Sequence, residues 1–160
     1  MRTLRLVAAA SVGAIIGTVT IVRADETHRM ILLPDAEAVH WGAAPPSLPK
    51  SVQFAVLVGD PAKPGPFVLR VKIPPNTSIA PHTHETDENL TIISAVVFHE
   101  MGDKLDKTAG DRLTGGGFLY LPASMAHSVW TTEDAAELQV TGTGPFGLQY
   151  VNPADDPSKK

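Results

Sequence analysis

The sequence predicts an all-β protein, built from many short strands that close into a sandwich or barrel. Fourteen prolines and thirteen glycines interrupt nearly every apolar run, and this spacing favours short strands over long helices. Within the runs, apolar and polar residues alternate with a period of two, most clearly from Phe67 to Ile73. A chain of 160 residues fits one domain with one core.

The first two dozen residues are predicted to lie outside this domain. Residues 1–5 carry two arginines, residues 6–22 are apolar and uncharged, and small residues flank Arg23. This pattern predicts a signal peptide over residues 1–24, cleaved after Ala24, and therefore an exported protein, periplasmic or secreted. The apolar run is slightly long for a signal, so an uncleaved membrane anchor is the alternative.

Charge and composition exclude several classes of function. Cleavage removes three arginines and leaves ten basic residues against seventeen acidic ones, a net charge of −7. Without a basic stripe, nucleic acid is a poor partner, and so is a membrane surface once the signal is removed. The lack of cysteine excludes disulfides, thiolate metal sites and a catalytic thiol. Serine hydrolases and phosphate-loop enzymes are disfavoured because their sequence signatures are absent.

Residues 25–50 are predicted to form an irregular arm, with a short helix or strand over residues 36–41. Residues 51–152 form the barrel, and residues 153–160 form a polar tail. Residues 102–117 are rich in turns, with one helical turn expected over residues 103–107. The predicted strands cover residues 52–58, 67–73, 79–84, 90–99, 118–121, 127–131, 136–141 and 148–151.

Alternation also predicts which side chains face the core. In the strand over residues 67–73, Arg70 and Lys72 are expected in solvent. The residues expected to point inward are Phe67, Leu69, Val71 and Ile73, together with Leu138 and Val140 from a later strand.

A stretch of seven residues contains three side chains that can bind a metal: His82, His84 and Glu88. In an extended segment, side chains two residues apart point to the same face, so the two histidine side chains lie on one face of the strand. Glu88 falls outside that alternation, and a turn through residues 85–87 is needed to bring its carboxylate to the two histidines. Imidazole and carboxylate suit a divalent first-row metal. On these residues alone, a solvated polar loop is an equally good interpretation.

The downstream His127 completes a pattern that resembles the cupin superfamily. The first cupin motif is Gly, five residues, His-x-His, three or four residues, Glu, six residues, Gly. His82, His84 and Glu88 match it with the correct gaps, while Asn76 and Ala95 stand in place of its glycines.

The second cupin motif is Gly, five residues, Pro-x-Gly, two residues, His, three residues, Asn. Gly116, Pro122 and His127 match it, and Ser124 and Thr131 replace its second glycine and its asparagine. The resemblance covers residues 52–151. Segments such as residues 64–67, 144–147 and 150–157 further resemble a bacterial subfamily of small, largely uncharacterised cupin-domain proteins.

The resemblance implies a double-stranded β-helix, or jelly-roll barrel, with one divalent transition metal per chain inside its mouth. The metal would be zinc, manganese, iron, nickel or copper, held by His82, His84, Glu88 and His127. Glu85 is the reserve carboxylate. His99 is expected to be a satisfied or exposed histidine. Phe98, Tyr120, Met125 and Trp130 are candidates for the wall of a pocket beside the metal, although each taken alone is better explained as a plain core residue.

The resemblance supports two functions. The first is a metal-dependent, dioxygenase-like oxidoreductase that acts on a small organic molecule. The alternative is a non-catalytic protein of the cell envelope that binds a metal or a small ligand, and some cupins keep the barrel and bind nothing at this site. No second acid–base residue stands out. A homodimer joined through an exposed sheet edge is consistent with the resemblance.

Overall fold

The computed structural model describes residues 30–160, and these residues form two antiparallel sheets. The signal peptide predicted over residues 1–24 lies outside the described residues. Within them, no helix is long and apolar enough to cross a bilayer. The strands are β1 (Gly42–Ala43), β2 (Gln53–Val58), β3 (Gly65–Ile73), β4 (Ser78–Thr83), β5 (Glu88–Ser94), β6 (Val96–Met101), β7 (Asp111–Thr114), β8 (Phe118–Leu121), β9 (His127–Trp130), β10 (Ala136–Gly144) and β11 (Gln149–Tyr150).

The first sheet has the order β1-β2-β3-β10-β5-β8, and the second has the order β11-β4-β9-β6-β7. The described residues also contain three short 3-10 helices, at Ala36–Ala38, Pro153–Asp155 and Pro157–Lys159. The all-β prediction is confirmed. The arm that the sequence predicted as irregular nevertheless adds a strand, because β1 pairs with β2.

The core lies between the two sheets, as the alternation predicted. The side chains expected to point inward are all buried: Phe67, Leu69, Val71, Ile73, Leu138 and Val140. They come from β3 and β10, which pair over nine residues at the centre of the first sheet. Arg70 was expected in solvent but is only partly exposed, because its guanidinium lies 3.0 Å from the Glu137 carboxylate on β10.

The predicted strand over residues 90–99 is wrong as a single element. The chain bends at Ala95, so that β5 belongs to the first sheet and β6 to the second. The apolar run is continuous across the bend, so the sequence pattern does not show where one strand ends and the next begins. The helical turn expected over residues 103–107 is absent, and β7 follows instead. This strand pairs with β6 at the edge of the second sheet, where three of its four residues are exposed.

Asn76, Ala95 and Ser124 are the three non-glycine residues of the described chain with a positive φ, at 53°, 60° and 65°. Each occupies a position where the cupin motifs have glycine. The substitutions therefore preserve the turn geometry, although a left-handed conformation costs a residue with a Cβ about 1–2 kcal/mol.

Replacing Ser124 with glycine is accordingly expected to stabilise the protein by about 0.5–1 kcal/mol, which is the relief of left-handed strain less the added entropy of the unfolded chain. Ser124 is exposed, so little packing is lost. Urea denaturation measures the change. The control is Ser51→Gly at an exposed turn without positive φ, which should lose stability. A loss in Ser124→Gly equal to that in the control would contradict the account.

Candidate metal centre

The four predicted metal ligands come from three segments that meet between the sheets. His82 lies in β4 and pairs across the sheet with His127 at the start of β9. His84 follows β4 directly, and its carbonyl accepts a hydrogen bond from the Ser124 N–H. A bend at residues 85–86 carries the chain from the second sheet to the first, and Glu88 then opens β5.

The side chains of these residues converge on one point. One nitrogen from each of His82, His84 and His127 lies within 4.8 Å of the others, so the three can hold a metal ion. The Oε2 atom of Glu88 lies 3.5 Å from the Nε2 atoms of both His84 and His127. All four residues are buried, with exposed fractions of 3%, 7%, 5% and 1% for His82, His84, Glu88 and His127.

Backbone carbonyls set the tautomer of all three imidazoles. The Nδ1 atoms of His82, His84 and His127 lie 2.8, 2.5 and 3.2 Å from the carbonyl oxygens of Ala80, Gly147 and Met125. A carbonyl oxygen only accepts, so each Nδ1 carries the proton and donates it. Each Nε2 then keeps a lone pair, which is the arrangement that orients imidazoles toward a metal.

Two atoms of the centre have no hydrogen-bond partner. The Nε2 of His84 and the Oε2 of Glu88 are fully buried and unpaired. A buried polar atom without a partner is costly, and a native structure usually supplies one. A divalent cation among these atoms would satisfy both, so the donor set fits a metal by its chemistry as well as by its geometry.

The environment keeps the imidazoles of His82 and His84 uncharged near neutral pH. Burial lowers the pKa of His82 well below its ordinary value, and the neighbouring His127 and His84 lower it further. Burial also lowers the pKa of His84, although the Glu88 carboxylate opposes that shift. Neutral imidazole is the form that binds metals.

His99 is a fourth histidine beside the centre, and it is neither satisfied nor exposed as the sequence suggested. It is 2% exposed, and its ring stacks at 5.5 Å from the ring of His127. Its Nε2 has no partner. Burial, with His127 as the next cause, lowers the pKa of His99 to about 4. His99 alternates with the buried Val97 on β6, and this pattern would have predicted that the His99 side chain is buried.

The centre opens into a cavity of about 280 Å³ between the sheets. The four converging residues form its polar end. The other walls are almost entirely apolar, from the strands and from three loops at residues 45–48, 61–62 and 146–148. They comprise Pro45, Ser47, Leu48, Phe54, Pro61, Ala62, Leu69, Val71, Ile73, Ile79, Leu90, Val129, Leu138, Val140, Phe146, Gly147 and Leu148.

None of the four candidates for a pocket wall lines this cavity. Phe98 and Trp130 pair across β6 and β9 on the face away from the centre, with rings stacked at 5.6 Å. Tyr120 and Met125 are 56% and 45% exposed. Strand β9 is buried on both faces, so its sequence did not show which residues turn inward.

The reserve carboxylate, Glu85, is exposed and does not line the cavity. One of its oxygens accepts a hydrogen bond from the Gly147 N–H and the other from the Gln149 side chain, both at 2.9 Å. These bonds fix the loop whose Gly147 carbonyl orients His84. Glu85 therefore supports the centre from outside it.

Comparison with known proteins identifies the fold. No protein-family model and no curated protein matches the sequence. Among solved structures, the polyketide cyclase RemF from Streptomyces resistomycificus aligns with a TM-score of 0.66 and 16% identity, over 81% of this chain and 92% of that one. A cupin-like protein from Thermotoga maritima aligns with a TM-score of 0.52 and 18% identity, over 65% and 80%.

The DMSP lyase DddQ from Ruegeria pomeroyi aligns with a TM-score of 0.54 and 16% identity, over 68% of this chain and 58% of that one. At these identities the likeness shows the fold alone. Together with the two facing antiparallel sheets, it confirms the predicted cupin barrel, a double-stranded β-helix.

Proposed function

We propose that this cupin-fold protein is exported, holds one divalent transition metal through His82, His84, Glu88 and His127, and acts on a small organic molecule as a dioxygenase-like oxidoreductase. The observation that supports it most is the meeting of three correctly oriented imidazoles and a carboxylate at the end of an apolar cavity. Two of these ligand atoms are buried without a partner.

The metal, when bound, would supply Lewis acidity and, if redox-active, the capacity to react with oxygen. Zinc, manganese, iron, nickel and copper all accept this ligand set. An exported protein lacks the cytoplasmic supply of reduced iron, which favours the other four metals.

The protein's own residues would do three things. Backbone carbonyls hold the imidazoles in the metal-binding tautomer. Phe146 stacks on the ring of His84, with centroids 4.2 Å apart, and limits its rotation. The apolar walls exclude water and leave an incoming molecule only one polar end to approach.

The fold alone does not determine which reaction the protein would catalyse. Structures that share it include a polyketide cyclase and a DMSP lyase, whose activities differ from each other.

One observation favours the alternative of a non-catalytic binding protein. Among the described residues, no acid or base lines the cavity apart from the four that converge on the metal position. Any proton transfer in a reaction would therefore have to use the metal centre or the substrate itself.

Oxygen uptake distinguishes the two functions. Protein loaded with manganese, iron, copper or nickel is expected to consume oxygen with at least one member of a panel of phenols, diketones and small acids. Metal-free and zinc-loaded protein are the controls, because zinc fills the same ligands without redox chemistry. An oxygen electrode and product analysis give the readout. Full metal occupancy without turnover on the panel would argue against the oxygenase and for the binding protein.

A further inference from the structure

We infer that the cavity takes an uncharged molecule with one oxygen-bearing end and an otherwise apolar body, the class of alkyl-substituted phenols and catechols and of small cyclic ketones. This inference rests on the proposed metal site, because that site provides the only concentrated polar contacts in the lining. It goes further than the proposed function by specifying the rest of the molecule, which the metal does not touch.

The polar side chains of the described lining are concentrated in the metal centre. Apart from the four residues of the metal centre, the described lining contains one polar side chain, that of Ser47. The strands contribute the side chains of branched aliphatic residues from both sheets. A hydroxyl, carboxylate or ammonium group placed away from the metal centre would find almost no side chain to bind.

Several backbone groups of the loops that line the cavity are already paired. The Phe146 N–H donates to the Pro61 carbonyl at 2.7 Å. The Gly147 N–H donates to Glu85, and the Gly147 carbonyl accepts from His84. The Ser47 carbonyl accepts from the Tyr150 hydroxyl at 2.8 Å. These N–H groups already have partners, and these carbonyls have one each, so they offer a polar ligand less than unpaired backbone groups would.

The lack of partners disfavours sugars, amino acids and phosphorylated compounds. A polar group that leaves water without a new partner weakens binding by about tenfold or more, and a charged group by much more. A molecule with several hydroxyls would therefore lose affinity at each of them. A methyl or methylene group in the same place would gain affinity.

The volume of the cavity limits the size of the molecule that it can hold. A dry apolar cavity of about 150 Å³ holds benzene. The cavity here is nearly twice as large, at about 280 Å³. In proportion, it suits a molecule of roughly eleven non-hydrogen atoms.

The arm before β2 closes one side of the cavity and contributes to this selectivity. Pro45, Ser47 and Leu48 all line it. Leu48 also packs on the buried core, and the bond from Tyr150 to Ser47 ties the arm to β11. Leu48 is thus a candidate specificity-determining residue.

The test compares two probes by calorimetric titration of the zinc-loaded full domain without oxygen: 4-ethylcatechol and 3,4-dihydroxybenzyl alcohol. They share the same pair of chelating oxygens and the same number of non-hydrogen atoms, and they differ only by a methyl or a hydroxyl at the far end. 4-Ethylcatechol is expected to bind at least about tenfold more tightly. Equal affinities, tighter binding of the alcohol, or no binding of 4-ethylcatechol would overturn the inference.

Zinc content, measured before each titration, separates this result from the proposed function. Protein that holds no zinc contradicts the metal site itself, whereas zinc-loaded protein without the preference contradicts only the substrate class. Leu48→Ala should retain zinc and weaken 4-ethylcatechol about fivefold. The matched control is Leu32→Ala, at a leucine that is 70% exposed and outside the cavity, and it should change neither. Equal effects of the two variants would overturn the assignment of Leu48.

Discussion

Replacing His82 and His127 together with alanine is expected to lower the affinity for zinc by at least about 1,000-fold, because two of the four ligands are removed and the remaining pair cannot complete a site. The two rings face each other across β4 and β9, with centroids 4.3 Å apart. Competition with a chromophoric chelator measures the affinity, and elemental analysis after dialysis measures occupancy. The wild-type chain should hold close to one metal.

Variants of the same residue types outside the cavity provide the controls. His40 is exposed, so His40→Ala should keep the wild-type affinity. Among the carboxylates, Glu88→Gln should weaken zinc by about 10- to 100-fold, whereas Glu85→Gln should have a smaller effect that acts only through the loop orienting His84. Equal metal in the double histidine variant and the wild type would end the ligand assignment.

Truncating Phe67 to alanine is expected to destabilise the fold by about 3–5 kcal/mol. Phe67 is 1% exposed near the start of β3, and its ring lies 5.0 Å from that of Phe146. Its ring edge also packs against Gly142, where a Cβ would approach the Phe67 Cζ atom to 3.0 Å. Removing the ring leaves a cavity that the paired strands cannot close.

Urea denaturation of the metal-free protein measures this loss without the contribution of metal binding. Phe118→Ala is the matched control, because Phe118 is 57% exposed on β8, and it should lose less than about 1 kcal/mol. Similar losses in the two variants would show that the core is not organised around β3.

The strands that the sequence predicted well are those with one buried and one solvated face. In β3 the alternation is clean, and its inward residues were placed correctly. The prediction failed where this signal is missing. The apolar run across Ala95 shows no break although the chain changes sheets there, and the exposed β7 has too few apolar residues to be recognised as a strand.

The resemblance to the cupin motifs predicted that His82, His84, Glu88 and His127 converge, as they do. Alternation alone placed only His82 and His84 on one face. The loop part of the cavity wall was not predictable in the same way. It comes from residues 45–48, 61–62 and 146–148, which are distant in sequence and carry no periodic pattern. The unpaired Nε2 of His99 emerges only from the packing of β6 against β9.

Anomalous diffraction from crystals of the zinc-loaded protein tests the central claim most directly. Data collected on both sides of the zinc absorption edge should show one peak per chain at about 2.0–2.2 Å from the Nε2 atoms of His82, His84 and His127 and from a Glu88 oxygen. A zinc peak elsewhere on the chain, or none between these four side chains despite excess zinc, would contradict the account.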